Sequence, residues 1–335
     1  MRMTHRRRNV SLALAVAAFV CYGGARAAEP ALVLERTIPL KDTSGRIDHM
    51  AVDLARKHLF VAELGNNTVD VVDITTGQVV RRFMGLHEPQ GIGYAPQADV
   101  IAIASAGDGT VRLFRGKDFS LVTTVDLGED ADNVRINQNS DEFVVGYGSG
   151  GLAVIRLADG RVLSRIKLPA HPEGFQIDAR SGRAFVNLPD DHQVAVVDLR
   201  SGKQISSWRM PGLRANFPMA LDAPRMIVAS VFRNPPRLVL LDANSGAMKE
   251  TLAACGDADD VFFDESRRRI YVSCGSGSVD VFQADGDGYR KQASMETSSG
   301  ARTSLFVPEL DRLFVARRAG LLGSTAAILV FRPTP

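Results

Sequence analysis

The sequence predicts an all-β fold, a seven-bladed β-propeller of four-stranded antiparallel blades. Three observations predict it. First, residues 48–82 break into four apolar runs, 49–53, 58–63, 68–73 and 78–83, each of strand length and bounded by Gly, Asn, Asp or Thr. Those bounding residues favour turns because they tolerate positive φ or hydrogen-bond their own backbone, so the stretch reads as one antiparallel sheet. Second, positions equivalent to Asp48 recur at Gln90, Asp132, Glu173, Phe217, Asp259 and Thr303, at spacings of 42, 42, 41, 44, 42 and 44 residues. A period of that length with four strands per unit selects a propeller over a helical solenoid, and seven starts mean seven blades. Third, the last unit stops after three strands, while residues 32–40 form a lone strand before the first full unit. Pairing that strand with residues 328–331 closes the ring and hides two edges that would otherwise invite aggregation.

At the start of the chain, Arg2, Arg6, Arg7 and Arg8 precede an apolar run over residues 10–22, and Ala25-Arg26-Ala27 follows. That order reads as a secretory signal peptide over residues 1–27, and it places the mature protein in the periplasm or outside the cell. The run is too short to span a bilayer comfortably, so no membrane span is expected after cleavage. Val10-Ser11 stands where an apolar pair would mark twin-arginine export, which favours the general route. Without residues 1–27 the balance is 35 basic against 38 acidic residues. A near-neutral, slightly acidic chain has no electrostatic drive toward nucleic acid.

Along the rest of the chain the register repeats. Second strands read LFVAE, VIAIA, EFVVG, AFVNL, MIVAS, IYVSC and LFVAR; third strands include TVDVVD, VAVVD and LVLLD. Tight turns at Thr76-Gly77, Asp159-Gly160, Ser201-Gly202 and Ser245-Gly246 lead to the outer strands. One propeller domain over residues 28–335 is therefore expected, and as a monomer.

The segment LFVAELGNNTVDVVDITTGQVV resembles the repeat of the YVTN, or YncE-like, propellers of bacterial periplasm and cell surface, and the likeness recurs over nearly the whole mature chain. The resemblance implies the architecture and leaves the activity open, since this fold hosts sugar binders, surface proteins, redox domains and lactone hydrolases.

In a propeller, the crossovers between blades and the loops joining second to third strands open on one face. The crossovers supply Asp48, His49, Asp132, Asn133, His171, Glu173, Asn216, Asp257, Asp259, Asp260 and Arg302. The second–third loops add Glu63, Asn66, Tyr147, Asn187, Asp190, His192, Arg233 and Arg317. This concentration of ionisable groups marks the candidate ligand site; its bland alternative is that Asp and Asn sit there as turn formers. A divalent metal ion is the one cofactor the residues suggest. Asp48, Asp132, Glu173 and Asp259 offer oxygen ligands to a hard cation, and His49 and His171, with His192, suit zinc or copper. No local ligand spacing anchors either, and no H-E-x-x-H, calcium-loop, C-x-x-C-H or G-x-S-x-G motif occurs.

Two readings follow. One is a secreted binding protein whose polar channel mouth holds a small polar ligand, a metal or a loop of a periplasmic partner. The other is a metal-dependent hydrolase or lyase at the same funnel, which resembles the propeller lactonases and streptogramin lyases in placing acidic and amide residues at inner-strand starts. Finally, Cys255 lies in the crossover entering the sixth blade and Cys274 ends that blade's second strand, so both fall on one face. In an oxidising compartment they are expected to pair; the alternative is a thiol pair that binds copper or cycles redox at the mouth.

Overall fold

The computed structural model describes residues 29–137, 140–320 and 324–335; the signal peptide expected over residues 1–27 lies outside them. Seven four-stranded antiparallel sheets are arranged as propeller blades. Blade 1 runs Met50–Asp53, His58–Glu63, Thr68–Asp73 and Gln78–Phe83 from axis to rim. Blades 2 to 6 repeat that order, with inner strands Pro89–Ala95, Ala131–Asn137, Phe175–Asp178, Arg214–Asp222 and Ala258–Asp264. Blade 7 takes Ser304–Val307, Arg312–Arg317 and Ala327–Pro333 from the end of the chain and its outer strand, Leu32–Pro39, from the beginning. The pairing runs from Leu32 opposite Pro333 to Pro39 opposite Ala327, so the ring is closed as the sequence predicts.

The two middle strands of each blade are packed on both faces, which is why they read as continuous apolar runs rather than alternating ones. His58–Glu63 buries all but its first residue, whereas Gln78–Phe83 leaves its first four exposed at the rim. The core is distributed: a separate apolar cluster fills the space between each pair of neighbouring blades. Between blades 4 and 5, for example, Phe185 and Trp208 pack with ring centres 5.4 Å apart.

The two faces carry different chemistry. On the face of the first–second strand turns, Asp53, Asp222 and Asp264 end inner strands and accept backbone N–H bonds from the turns that follow. The arginine three residues on then reaches the next blade: Arg56 Nη1 lies 2.7 Å from Asp99 Oδ1, Arg267 Nη1 2.7 Å from Asp311 Oδ1, and Arg225 Nη1 donates to the Tyr289 hydroxyl at 3.0 Å. Charges there are consumed in turns and inter-blade clamps. On the other face Cys255 and Cys274 stand 5.9 Å apart at Cα with their sulfurs at bonding distance. Among the described residues no helix is long and apolar enough to cross a membrane.

Candidate functional site

The inner strands of blades 2, 3, 5 and 6 each break register at their first residues, between Pro89 and Ile92, Ala131 and Val134, Asn216 and Met219, and Ala258 and Asp260. A bulge inserts backbone without a partner and re-aims the side chains it carries. Gln90, Asp132, Phe217 and Asp259 lie inside these breaks, and all four line a cavity of about 190 Å³ at the mouth of the channel. Glu173 joins them from blade 4. Its neighbour Gly174 lets the chain pass close to blade 5, donating its N–H to the Phe217 carbonyl at 3.0 Å where an added Cβ would stand 2.5 Å from that oxygen. Blades 7 and 1 contribute Arg302 and Arg46, just ahead of their inner strands, and Asp130, His171 and Arg233 complete the wall.

The cations of the mouth are engaged by their neighbours. Arg46 Nη2 lies 2.6 Å from Asp48 Oδ2. Arg302 lies 2.9 Å from Asp259 and 3.0 Å from Asp257, and Arg233 bonds the same two carboxylates. The Arg233 guanidinium also stacks on Phe217, 3.7 Å from the ring centre. His171 Nδ1 donates to the Gly148 carbonyl at 2.6 Å, and its Nε2 faces Asp132 Oδ2 at 3.8 Å. Burial works against a charged imidazole, but Asp132, the Gly148 carbonyl and Asp130 outweigh it and hold the His171 pKa up to about 9. Burial pushes Glu173 the other way from an ordinary carboxyl, and with the Asp132 carboxylate beside it raises its pKa to about 8. Burial also raises Asp48, to about 6, and lifts Asp130 and Asp259.

Below the mouth a second chamber of about 260 Å³ follows the axis, lined by His49, Arg135, Gln176, Asp260 and Ser304 among apolar neighbours. Asp260 accepts the Ser304 N–H at 2.7 Å, and burial holds its carboxyl well above the usual range. His49 lies 3.8 Å from Asp260 Oδ1 and 3.7 Å from Asp48 Oδ1, and burial lowers its pKa. A larger concavity, about 580 Å³, opens on the opposite face beside Asp178, Arg180 and Pro224, where the turn chemistry lies.

Of the residues proposed from sequence, Asp132, His171, Glu173, Asp259 and Arg302 therefore meet in the mouth, while His49 and Asp260 sit in the chamber beneath. Asp48 is buried behind Arg46. Asn133 and Asn216 belong to neither cavity. Asn216 is fully buried and braces the blade, its Nδ2 donating to Asn187 Oδ1 and the Gln193 carbonyl, both at 2.9 Å; Asn133 is buried one residue past Asp132. Each follows or precedes a mouth residue by one position, and in a strand one position turns a side chain to the other side. Of the second–third loops only Arg233 reaches the mouth; Glu63 is buried among Thr43 and Thr68, and His192 stands at the rim against Arg214. The metal candidates Asp48, His49, His171, Glu173 and Asp259 do not converge: no three His, Cys, Asp or Glu side chains among the described residues are placed to hold one ion. Four mouth residues were not candidates from sequence: Gln90 and Phe217, which hold reference positions of the repeat but are not ionisable, and Arg46 and Asp130, which sit two residues ahead of the reference positions Asp48 and Asp132.

No family model matches the sequence, and no curated protein matches it. Among solved structures, the chain is similar to a chain of the mitotic checkpoint complex, with a TM-score of 0.77 and 13% identity over 98% of this chain and 99% of that one. It is also similar to hydrazine synthase of Kuenenia stuttgartiensis, with a TM-score of 0.73 and 12% identity over 87% of this chain and 98% of the other. At such identities the likeness is one of fold, and the fold is the seven-bladed propeller described above.

Proposed function

We propose that this chain is an exported binding protein that holds a small polar ligand in the mouth of its propeller channel. The observation that carries the reading is the set of re-aimed strand starts: Gln90, Asp132, Phe217 and Asp259 are turned out of regular pairing and into one cavity. Turn formation alone does not call for this, and bulges gather where a side chain must be aimed. A cavity of about 190 Å³ suits a molecule smaller than a typical drug. Export is supported by the basic, apolar and small-residue order of residues 1–27 and by the cysteine pair, which suits an oxidising compartment. The repeat's resemblance to the YVTN, or YncE-like, propellers supports the same placement.

The hydrolase or lyase reading draws on two other residues of the mouth, since Glu173 and His171 are both able to give up a proton near neutral pH. Among the described residues its metal-assisted form has no convergent ligand set to draw on, and binding is the reading the bulged strand starts support better. A thermal-shift screen of small metabolites against the native protein and a His171→Ala/Glu173→Gln variant tests it. A ligand that raises the native melting temperature and leaves the folded variant unmoved is the expected result. Ligands whose shift persists in the variant would place binding elsewhere on the molecule.

A further inference from the structure

We propose that the mouth is built for a small organic cation, an ammonium group seated between Glu173 and the unpartnered oxygen of Asp132. The inference rests on the reading of the mouth as a binding site and names its ligand class. Arg46 is held by Asp48, and Arg233 and Arg302 share Asp257 and Asp259. His171 donates through Nδ1 to the Gly148 carbonyl and stands 3.4 Å from Asp130 and 3.8 Å from Asp132. Arg233, Arg302 and His171 are thus already paired with carboxylates, and Arg46, bonded through Nη2 alone with its Nε unpartnered, is the mouth cation where an anion would compete.

Among the described residues of the mouth, two carboxyl groups keep oxygens that no cation bonds. Asp132 is only 5% exposed, lines the cavity, and leaves Oδ1 buried without a hydrogen-bond partner. A buried carboxylate oxygen left in that state costs free energy that a donor would return. Glu173 lines the same cavity, and among the described residues no hydrogen bond reaches its carboxyl group. An alkylammonium offers three donors and one positive charge to these oxygens. The high pKa of Glu173 agrees with this: burial raises it first, the Asp132 and Asp259 carboxylates add to that, and His171 and Arg233 offset only part, which leaves a carboxyl that a further cation would ionise. The volume of about 190 Å³ limits the rest of the ligand to a short chain or a small ring.

Titration calorimetry on the folded full domain tests the class with three probes of equal carbon number: 1,4-diaminobutane, 4-aminobutyrate and butyrate. The diamine is expected to bind saturably and butyrate not to bind. Glu173→Gln and Asp132→Asn should each weaken the diamine about tenfold or more, in proteins whose melting shows them folded. At pH 7 the native complex should also release a proton, seen as a binding heat that changes with the ionisation enthalpy of the buffer; Glu173→Gln should abolish that dependence. Butyrate binding as tightly as the diamine, diamine binding unchanged in folded Glu173→Gln, or no saturable diamine binding up to about 10 mM would each overturn the proposal. A neutral or anionic metabolite whose thermal shift depends on the mouth residues would overturn the cation while leaving the mouth as the binding site.

Discussion

Glu173 and His171 sit side by side in the mouth with pKa values raised in the same direction, and the consequence for stability has one sign. Glu173 moves from an ordinary 4.5 to about 8 and His171 from 6.5 to about 9, so between those limits the folded protein binds more protons than the unfolded chain. Stability must then fall as pH rises, from about 5 through 8 for Glu173 and from about 6.5 through 9 for His171. Glu173→Gln removes the first part of that slope. The variant is expected to lie close to the native protein near pH 5 and to exceed it by on the order of 3–4 kcal/mol near pH 8.5, read from urea unfolding at the two pH values. A variant no more stable than native at the higher pH would mean that Glu173 is ionised and satisfied there. The chemistry of these residues was legible only in part. The repeat pointed to Asp132, Glu173 and Asp259 because each occupies the reference position of its unit; Gln90 and Phe217 hold the same register but were not among the candidates, because neither is ionisable. What it could not weigh was the partner of each charge, since Asp257 and Asp259 meet Arg233 and Arg302 from neighbouring blades.

The elements that aim these side chains are the bulged inner strands, and the one in blade 2 depends on a missing Cβ. At Gly91 an added Cβ would fall 2.1 Å from the Asp132 carbonyl oxygen, so the blade 2 strand could no longer lie against blade 3 without displacing the backbone that carries Asp132. Gly91→Ala is expected to cost about 1–3 kcal/mol in denaturant unfolding and to weaken any mouth ligand, whereas Gly182→Ala, where nothing lies within 4 Å, should cost stability through its positive φ alone and leave binding intact. Equal effects on binding at the two sites would sink this account of the bulge. The strands themselves were readable to within a residue or two, save the second strand of blade 5, whose run MIVAS ends at residue 230 while the strand spans Ile227–Asn234, because both middle strands of each blade are buried on both faces and bounded by turn residues. The bulges were not, since a pattern of period two cannot register one extra residue, and that is also why Asn133 and Asn216 read as mouth residues. The crossover into blade 6 is tied down differently. Its Cys255 N–H bonds Asp280, Gly275 bonds the Asp257 carbonyl, and the cysteine pair spans a separation of 19 residues. Replacing both cysteines with serine is expected to cost about 3 kcal/mol and to loosen Asp257 and Asp259 under Arg302. Two free thiols titrated in denaturant, on exported protein never exposed to reductant, would show that the pair is not oxidised.

At the scale of the whole molecule, seven interfaces of similar construction have to be completed at once, and the seventh is completed by the two ends of the chain. Leu32–Pro39 supplies Ile38 to the cluster between blades 7 and 1 and Leu32 to the one between blades 6 and 7, and Leu40, just past the strand, joins the first. Beyond the pairing, Thr334 is held by the Pro30 and Ala31 carbonyls, and Arg267 and Arg269 of blade 6 bond the Thr334 carbonyl. Glu35 adds contacts to Arg312 and Arg332 on the same blade. Each lost buried aliphatic side chain costs about 2–5 kcal/mol, so removing three approaches the entire stability of an ordinary domain. Deleting residues 28–40 also leaves Ala327–Pro333 as an unpaired edge strand rich in Ile, Leu and Val, ready to pair with another copy. The truncated protein is therefore expected either to melt far below the full chain or to aggregate at concentrations where the full chain stays monodisperse in light scattering. Adding the missing strand back as a free peptide of residues 29–40 should restore part of the melting temperature, because mass action lets a ligand of the folded state stabilise it. A truncated protein that stays soluble, melts as before and ignores the peptide would mean that three-stranded blade 7 closes the ring unaided.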